Sequence, residues 1–199
     1  MNANGLNYPS LTAAILATML PFIAFVIIMV FTRKHPRLSA GLSIAAVSVS
    51  LVSGFFLLLR HWQMEAPLEF TGRWLISGDI IVPFGFLLDQ TSLLMLSVIA
   101  SISFLVQVYS LGYMAGDNGF SRYYAFMSLF AWAMLNLTFS PTMLQLYIFW
   151  ELVGLSSYLL IGFWYEKFSA TEAGKKAFVM TRFGDVAFFL GLLLVLVHL

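Results

Sequence analysis

Apolar residues run along this chain in long uninterrupted blocks, each close to the roughly 20 residues that a helix needs to cross a bilayer. A sliding window places these blocks near Leu11 to Phe31, Leu38 to Leu59, Asp89 to Tyr109, Tyr123 to Phe139, Thr142 to Trp164 and Lys176 to His198. The fourth is the shortest. The pattern predicts an all-α fold, a polytopic transmembrane helix bundle of about six spans. The one long connection, Arg60 to Leu88, contains two β-prone runs, Arg73-Trp74-Leu75-Ile76 and Ile80-Ile81-Val82, around Ser77-Gly78-Asp79. It predicts a short external β-hairpin between spans two and three. Pro83 and Gly85 are expected to end that pattern before span three, with Asp89 as the N-cap of its helix. The chain thus divides into residues 1–88, two helices and the hairpin, and residues 89–199, the remaining helices.

Composition narrows the picture further. Hydrophobic residues make up 61% of the chain and charged ones only 10%, and the mean hydropathy is +0.92. A soluble domain has no polar surface with which to cover so much apolar sequence. The net charge of +1 comes from scattered residues, with no basic stripe of the kind that binds nucleic acid. The absence of cysteine excludes disulfides, thiol catalysis and cysteine ligation of iron–sulfur clusters in this chain. His35, His61 and His198 are too scattered to form a recognisable metal or haem pair. The N-terminal segment up to Pro9 has no positive charge, unlike a secretory signal, so the first helix is expected to remain in the protein.

Charge distribution predicts orientation. Arg33, Lys34, Arg37, Arg122, Lys167, Lys175 and Lys176 fall after spans one, three and five, whereas Arg60 and Arg73 fall on the opposite side. The positive-inside rule makes the first set cytoplasmic and puts both ends of the chain outside, in a bacterium on the periplasmic face of the inner membrane. Trp62 and Trp74 on one side, and Tyr109, Tyr113, Tyr123, Tyr124, Trp164 and Tyr165 on the other, read as interfacial anchors. Ala46, Ser50 and Gly54 form a small-residue face for close helix packing.

Three charges stand out because they lie within apolar spans. Glu151 falls near the middle of the fifth, where an ionised acid costs about 3 kcal/mol on insertion scales and must be protonated, paired or hydrated. Each option suits ion handling, and a movable cation beside such a carboxyl would load or release its proton. Arg182 and Asp185, at i, i+3 spacing in the sixth span, share a helix face and can neutralise each other. Lys175 and Lys176 read as flanks of that span. Gln107, Gln145, Asn136, Ser156 and Ser157 could line a hydrated path or satisfy helix contacts.

The segment Phe149-Trp150-Glu151-Leu152-Val153-Gly154-Leu155-Ser156-Ser157-Tyr158-Leu159-Leu160-Ile161-Gly162-Phe163-Trp164-Tyr165 closely resembles the fifth helix of the largest antiporter-like membrane subunit of respiratory complex I, the proton-translocating NADH:quinone oxidoreductase. Phe86-Leu87-Leu88-Asp89, Tyr109-Ser110-Leu111-Gly112-Tyr113-Met114, Ala173-Gly174-Lys175-Lys176-Ala177-Phe178 and Thr181-Arg182-Phe183-Gly184-Asp185 are similar to the same family in the same order. The resemblance implies a translocase subunit in which Glu151 relays protons together with a lysine on a broken seventh helix. It implies roles for Arg182 and Asp185 as an inter-subunit charge pair. It further implies no cofactor in this chain, with FMN, iron–sulfur clusters and quinone in partner subunits of the membrane and peripheral arms. Members of the family have many more helices than this chain, so a further segment or chain is expected to supply the later ones. Related readings are the large subunit of a multisubunit sodium/proton antiporter, or of a membrane-bound hydrogenase or reduced-F420 dehydrogenase complex. A purely structural membrane scaffold, in which the charges only hold helices together, is the reading of a different class.

Overall fold

The computed structural model describes residues 8–63, 66–77 and 80–198. Six helices and one hairpin follow in order: α1 (Tyr8–Ile27), extended by a π-helical turn (Ile28–Thr32); α2 (Pro36–Arg60); β1 (Leu68–Ser77); β2 (Ile80–Leu88); α3 (Gln90–Tyr113); α4 (Phe120–Thr138); α5 (Met143–Ile161); and α6 (Phe168–His198). Pro36 opens α2 at a position where its missing N–H costs no helical bond. Asp89 is the N-cap that the sequence predicts: its carboxylate accepts from Ser92 N at 2.7 Å while Ser92 Oγ accepts from Asp89 N at 2.9 Å.

The protein is a helical membrane bundle. Helices α1, α2, α3 and α4 pack on one another, α5 packs on α4, and α6 packs on α5. Five helical segments, 9–32, 36–60, 90–113, 143–161 and 168–195, are long and apolar enough to cross a membrane. Helix α4 is not among these five, which qualifies the six-span expectation. The reason lies in its position. It touches α1, α2, α3 and α5, and its polar Ser121, Tyr124, Ser128 and Asn136 are buried by those neighbours instead of facing lipid. The bundle core has two clusters, one around Leu57, Leu96, Leu135 and Phe139 at the hairpin end, the other around Ile28, Ala40, Tyr124 and Ala125.

Most polar side chains within the core satisfy helix contacts, although Gln107 Nε2, Ser121 Oγ and Trp132 Nε1 are buried without a hydrogen-bond partner. Ser43 Oγ donates to Gln107 Oε1 at 2.9 Å and lies 2.6 Å from Ser128 Oγ, joining α2, α3 and α4. Ser50, on the small-residue face, donates to Ala17 O at 2.6 Å. Asn136, Ser156 and Ser157 bond to carbonyls of their own helices. Tyr124 departs from its expected role as an interfacial anchor. It is fully buried, and its hydroxyl donates to Gln107 O at 2.8 Å. The other aromatic anchors named above, Tyr123 excepted, stay exposed.

The sixth helix begins at Phe168, eight residues before the predicted Lys176. Lys175 and Lys176 lower local hydropathy but do not interrupt a helix, and Lys175 Nζ pairs with Glu172 Oε1 one turn earlier at 3.1 Å.

The hairpin is longer than the sequence suggested, and Pro83 and Gly85 lie inside β2 instead of ending the pattern. Pro83 sits opposite Arg73 beside the irregularity between Arg73 and Leu75, a place where a strand tolerates a residue without an N–H. The tip at Gly78 and Asp79 lies outside the described residues. Gly85 pairs with Thr71, and a Cβ there would run into the Phe70 carbonyl. Its outer edge is taken by a side chain from α5: Gln145 Oε1 accepts from Gly85 N at 2.9 Å, and Gln145 Nε2 donates to Gly85 O at 2.9 Å. Leu87 N donates to Phe139 O at 2.9 Å. A buried glutamine thus takes the place of a third strand and ties the hairpin to the start of α5.

At the opposite end, Asp117 joins the α3–α4 and α5–α6 connections. Its carboxylate accepts from Gly119 N at 2.6 Å and from Trp164 Nε1 at 2.9 Å. The Trp164 indole first, and the Gly119 amide second, hold the Asp117 carboxyl below its ordinary value of 3.8.

Two measurements check these attachments. Gln145→Ala leaves the buried Gly85 N–H and C=O without partners, at about 1–3 kcal/mol for each group. Thermal unfolding in detergent should show a clearly lower midpoint, and an unchanged midpoint refutes the attachment. Because the Asp117 pKa is depressed on folding, its contribution is present above 3.8 and lost as pH falls through the lower folded value. Acidification below pH 4 should therefore destabilise the protein less in an Asp117→Asn variant, whose side chain does not titrate.

Candidate functional site

The carboxylate singled out by the sequence occupies the middle of α5. Glu151 lies eight residues after Met143 and ten before Ile161, so about 12 and 15 Å from the two helix ends. It is 19% exposed within the bundle. Arg182 and Asp185, one turn apart on α6, face the same level.

The structure brings all three charges together. Arg182 Nη1 is paired with Glu151 Oε2 across the α5–α6 interface, and the same nitrogen lies 3.6 Å from Asp185 Oδ2. The expected Arg182–Asp185 pair is therefore one side of a trio. Arg182 is the partner of Glu151 among the described residues. One cation faces two carboxylates, which leaves the trio with an excess negative charge when both acids are ionised.

Two aromatic neighbours flank the trio. Trp150 Nε1 donates to Asp185 Oδ1 at 2.9 Å, giving Asp185 a second donor. Phe178, one turn before Arg182, puts its ring 4.7 Å from the guanidinium carbon. Sequence reasoning passed over Trp150 because the residue beside it carried the charge. The signal was present: tryptophan favours membrane interfaces, and a buried indole N–H usually finds an acceptor. Gln145, left open between a hydrated path and a packing role, proves to be the hairpin clamp two turns before Glu151.

A cavity of about 730 Å³ opens beside the trio between α4, α5 and α6, bordered by Trp150, Asp185, Ser157 and Thr181. Gly154 and Gly184 border it without a side chain, and a Cβ at either would meet nothing within 4 Å. The arrangement thus places one cation within reach of two acids, with Asp185 at the edge of a cavity that is otherwise largely apolar. Among the described residues, no group of three His, Asp or Glu side chains converges as a metal site would.

Comparisons with known proteins bear on this geometry. Residues 74–124 match the family described as NADH-ubiquinone oxidoreductase (complex I), chain 5 N-terminus. Residues 140–198, which hold Glu151, Arg182 and Asp185, match the NADH:quinone oxidoreductase/Mrp antiporter transmembrane family. The chain is 42% identical over 163 residues to NAD(P)H-quinone oxidoreductase chain 5 of a Picosynechococcus species, covering 82% of this chain and 24% of that protein. Against the protein of the same name from a Synechocystis species, identity is 43%, with 81% of this chain and 24% of the relative covered. The chloroplast subunit 5 of Anthoceros angustus is 40% identical over 81% of this chain and 22% of its own length. The chain thus spans about a quarter of these curated relatives. A chain in the membrane-bound sulfane sulfur reductase, an archaeal respiratory membrane complex, has the same fold at a TM-score of 0.77 and 18% identity, over 90% of this chain and 36% of that one.

The trio yields a test independent of activity. Arg182→Ala leaves two adjacent carboxylates without their cation, whereas Arg182→Ala/Glu151→Gln removes the repulsion as well. The single variant should be the less stable, by about 2 kcal/mol. Equal unfolding midpoints would show that Arg182 and Glu151 act separately.

Proposed function

This chain belongs to the complex I chain 5 family of antiporter-like membrane subunits, and from that premise we propose that it forms part of a proton-translocating membrane-arm subunit of a quinone-reducing oxidoreductase. The observation that carries the reading is one cation, Arg182, held between two carboxylates at mid-span.

The proposed cycle follows from the cost of unpaired charge in a low-dielectric interior. With Arg182 against Glu151, that acid is stable as a carboxylate. If the guanidinium swings toward Asp185, Glu151 is left alone and takes up a proton. Asp185 is the better place for standing negative charge because Trp150 Nε1 also donates to it. Return of Arg182 expels the proton from Glu151. One swing and return of Arg182 thus gives one proton uptake and one release at Glu151, the proton coming from water and leaving to the next acceptor. A lysine on a later helix, as the family resemblance implies, is the natural acceptor of the next step.

Redox chemistry belongs to other subunits in this proposal. FMN and iron–sulfur clusters would reside in partner subunits, with quinone reduced there, and the electrical disturbance would reach this chain through neighbouring membrane-arm subunits and through the later helices of the subunit. In this proposal the end of the bundle with the basic loops at Arg33, Lys34, Arg37, Arg122 and Lys167 faces the cytoplasm of a bacterial cell and the hairpin faces outward, an orientation that the positive-inside rule supports. The shared quinone oxidoreductase/antiporter description of residues 140–198 is compatible with sodium/proton exchange. Chain 5 of the quinone oxidoreductase, the name carried by the relatives above, favours proton pumping coupled to redox.

Glu151→Gln in the assembled complex tests the proposal. Proton pumping in reconstituted vesicles, read with a pH-sensitive dye during quinone reduction, should fall at least several-fold while assembly is retained. Unchanged pumping by a stably assembled variant favours the scaffold reading. Sodium exchange in a complex lacking flavin and iron–sulfur partners favours the antiporter.

A further inference from the structure

A second polar cavity, of about 450 Å³, lies at the bundle end where α1 and α3 finish and where α4 and α6 begin. It is well away from the Glu151 trio and plays no part in the proton relay. Its size falls within the range of about 300–1,000 Å³ usual for small-ligand pockets. Arg33, Arg122 and Lys167 border it, against the two carboxylates of Asp117 and Glu166. Asp117 is already engaged by the Gly119 amide and the Trp164 indole. Asp117 lies close enough to Arg122 and Lys167 for both cations to stabilise its carboxylate, but among the described residues no N–O contact within 4.0 Å joins any of the three cations to an acid, and three positive charges face two negative ones.

Arg122 is the best fixed of these cations. Its guanidinium carbon lies 4.8 Å from the ring centres of both Phe163 and Tyr165, and Nη2 donates to Phe163 O at 3.1 Å. Its Nε is buried without a hydrogen-bond partner. The wall also includes Gly119 and Lys167, which immediately precede α4 and α6. Neither helix has an acidic residue in its first turn, so two positive dipole ends add to the three side chains.

A smaller cleft of about 200 Å³ shares Arg122, Phe163 and Tyr165 with this cavity and continues along the bundle between Phe126 and Leu159. The two hollows thus share a wall at Arg122, Phe163 and Tyr165, the larger bordered by cations and the smaller adding Phe126, Tyr158 and Leu159. Inorganic phosphate or a soluble metabolite would use only the first. A phospholipid would use both, with the phosphate at Arg122 and Lys167 and an acyl chain along Phe126 and Leu159.

We propose that this end of the bundle is a specific site for an anionic phospholipid, held by Arg33, Arg122 and Lys167 and seated by one acyl chain in the Phe126–Leu159 groove. Occupancy joins the α3–α4 connection to the α5–α6 connection, which Asp117 and Trp164 already link.

The full complex purified in detergent and examined by native mass spectrometry provides the test, with phosphatidylglycerol, phosphatidylcholine of the same chains, and inorganic phosphate as probes. The wild-type complex should retain phosphatidylglycerol in preference to phosphatidylcholine. Loss of two cations in Arg33→Gln/Lys167→Gln should weaken phosphatidylglycerol on the order of 25-fold, at about five-fold per charge, and leave phosphatidylcholine unchanged. Both residues are exposed, so the variant folds independently of the result. Arg122→Lys keeps the charge but loses the planar stack and should weaken binding less than Arg122→Gln. Equal retention of the two lipids, or phosphatidylglycerol binding unaffected by the double variant, overturns the proposal. Displacement by millimolar inorganic phosphate overturns the lipid assignment in favour of a simple anion site.

Discussion

Hydrocarbon offers no hydrogen-bond partner, so every polar group placed at membrane depth must find its partner inside the protein. That requirement accounts for most of the internal contacts of this chain. Arg182 gathers Glu151 and Asp185, Ser43 gathers Gln107 and Ser128, and Tyr124 reaches the Gln107 carbonyl. The apolar residues supply bulk and length, but they pack almost equally well against lipid. It is the polar groups that tell one helix from another and fix which faces meet.

The same requirement sorts the helices by position. Helix α4 buries Ser121, Tyr124, Ser128 and Asn136 and lies against four other helices, whereas α6, which exposes Glu172, Lys175 and Lys176 in its first turns, packs chiefly against α5. The charge trio sits between these extremes, at the last interface of the bundle. There Arg182 remains 35% exposed while Asp185 is 8% exposed. The same interface thus encloses one carboxylate while the arginine reaches toward the surface of the bundle.

The sequence revealed the spans, the hairpin, the Asp89 cap and the three charges, because each leaves a local mark: a run of apolar residues, a turn dipeptide, or a charge in an apolar block. It concealed what depends on contacts distant in the chain. Nothing near Glu151 indicates that its cation is Arg182, thirty-one positions away. Hydropathy alone could not separate a helix that faces lipid from one enclosed by protein, so α4 read as an ordinary span and Tyr124 as a boundary anchor. Pro83 and Gly85 read as breakers because a bulge and a glutamine standing in for a strand are invisible in local propensity. The start of α6 was misplaced because a lysine pair lowers hydropathy without ending a helix.

Helix α5 is fastened at each extremity. Gln145 grips the hairpin backbone at one end, and Phe163 and Trp164, just past the other, are tied to Arg122 and Asp117. In mechanical terms it is a beam clamped at both supports, and a beam so held cannot slide along its axis or screw past its neighbours by a turn. Whatever moves near its midpoint must therefore be small and lateral. Glu151 lies between those two supports, opposite the longer side chain of Arg182.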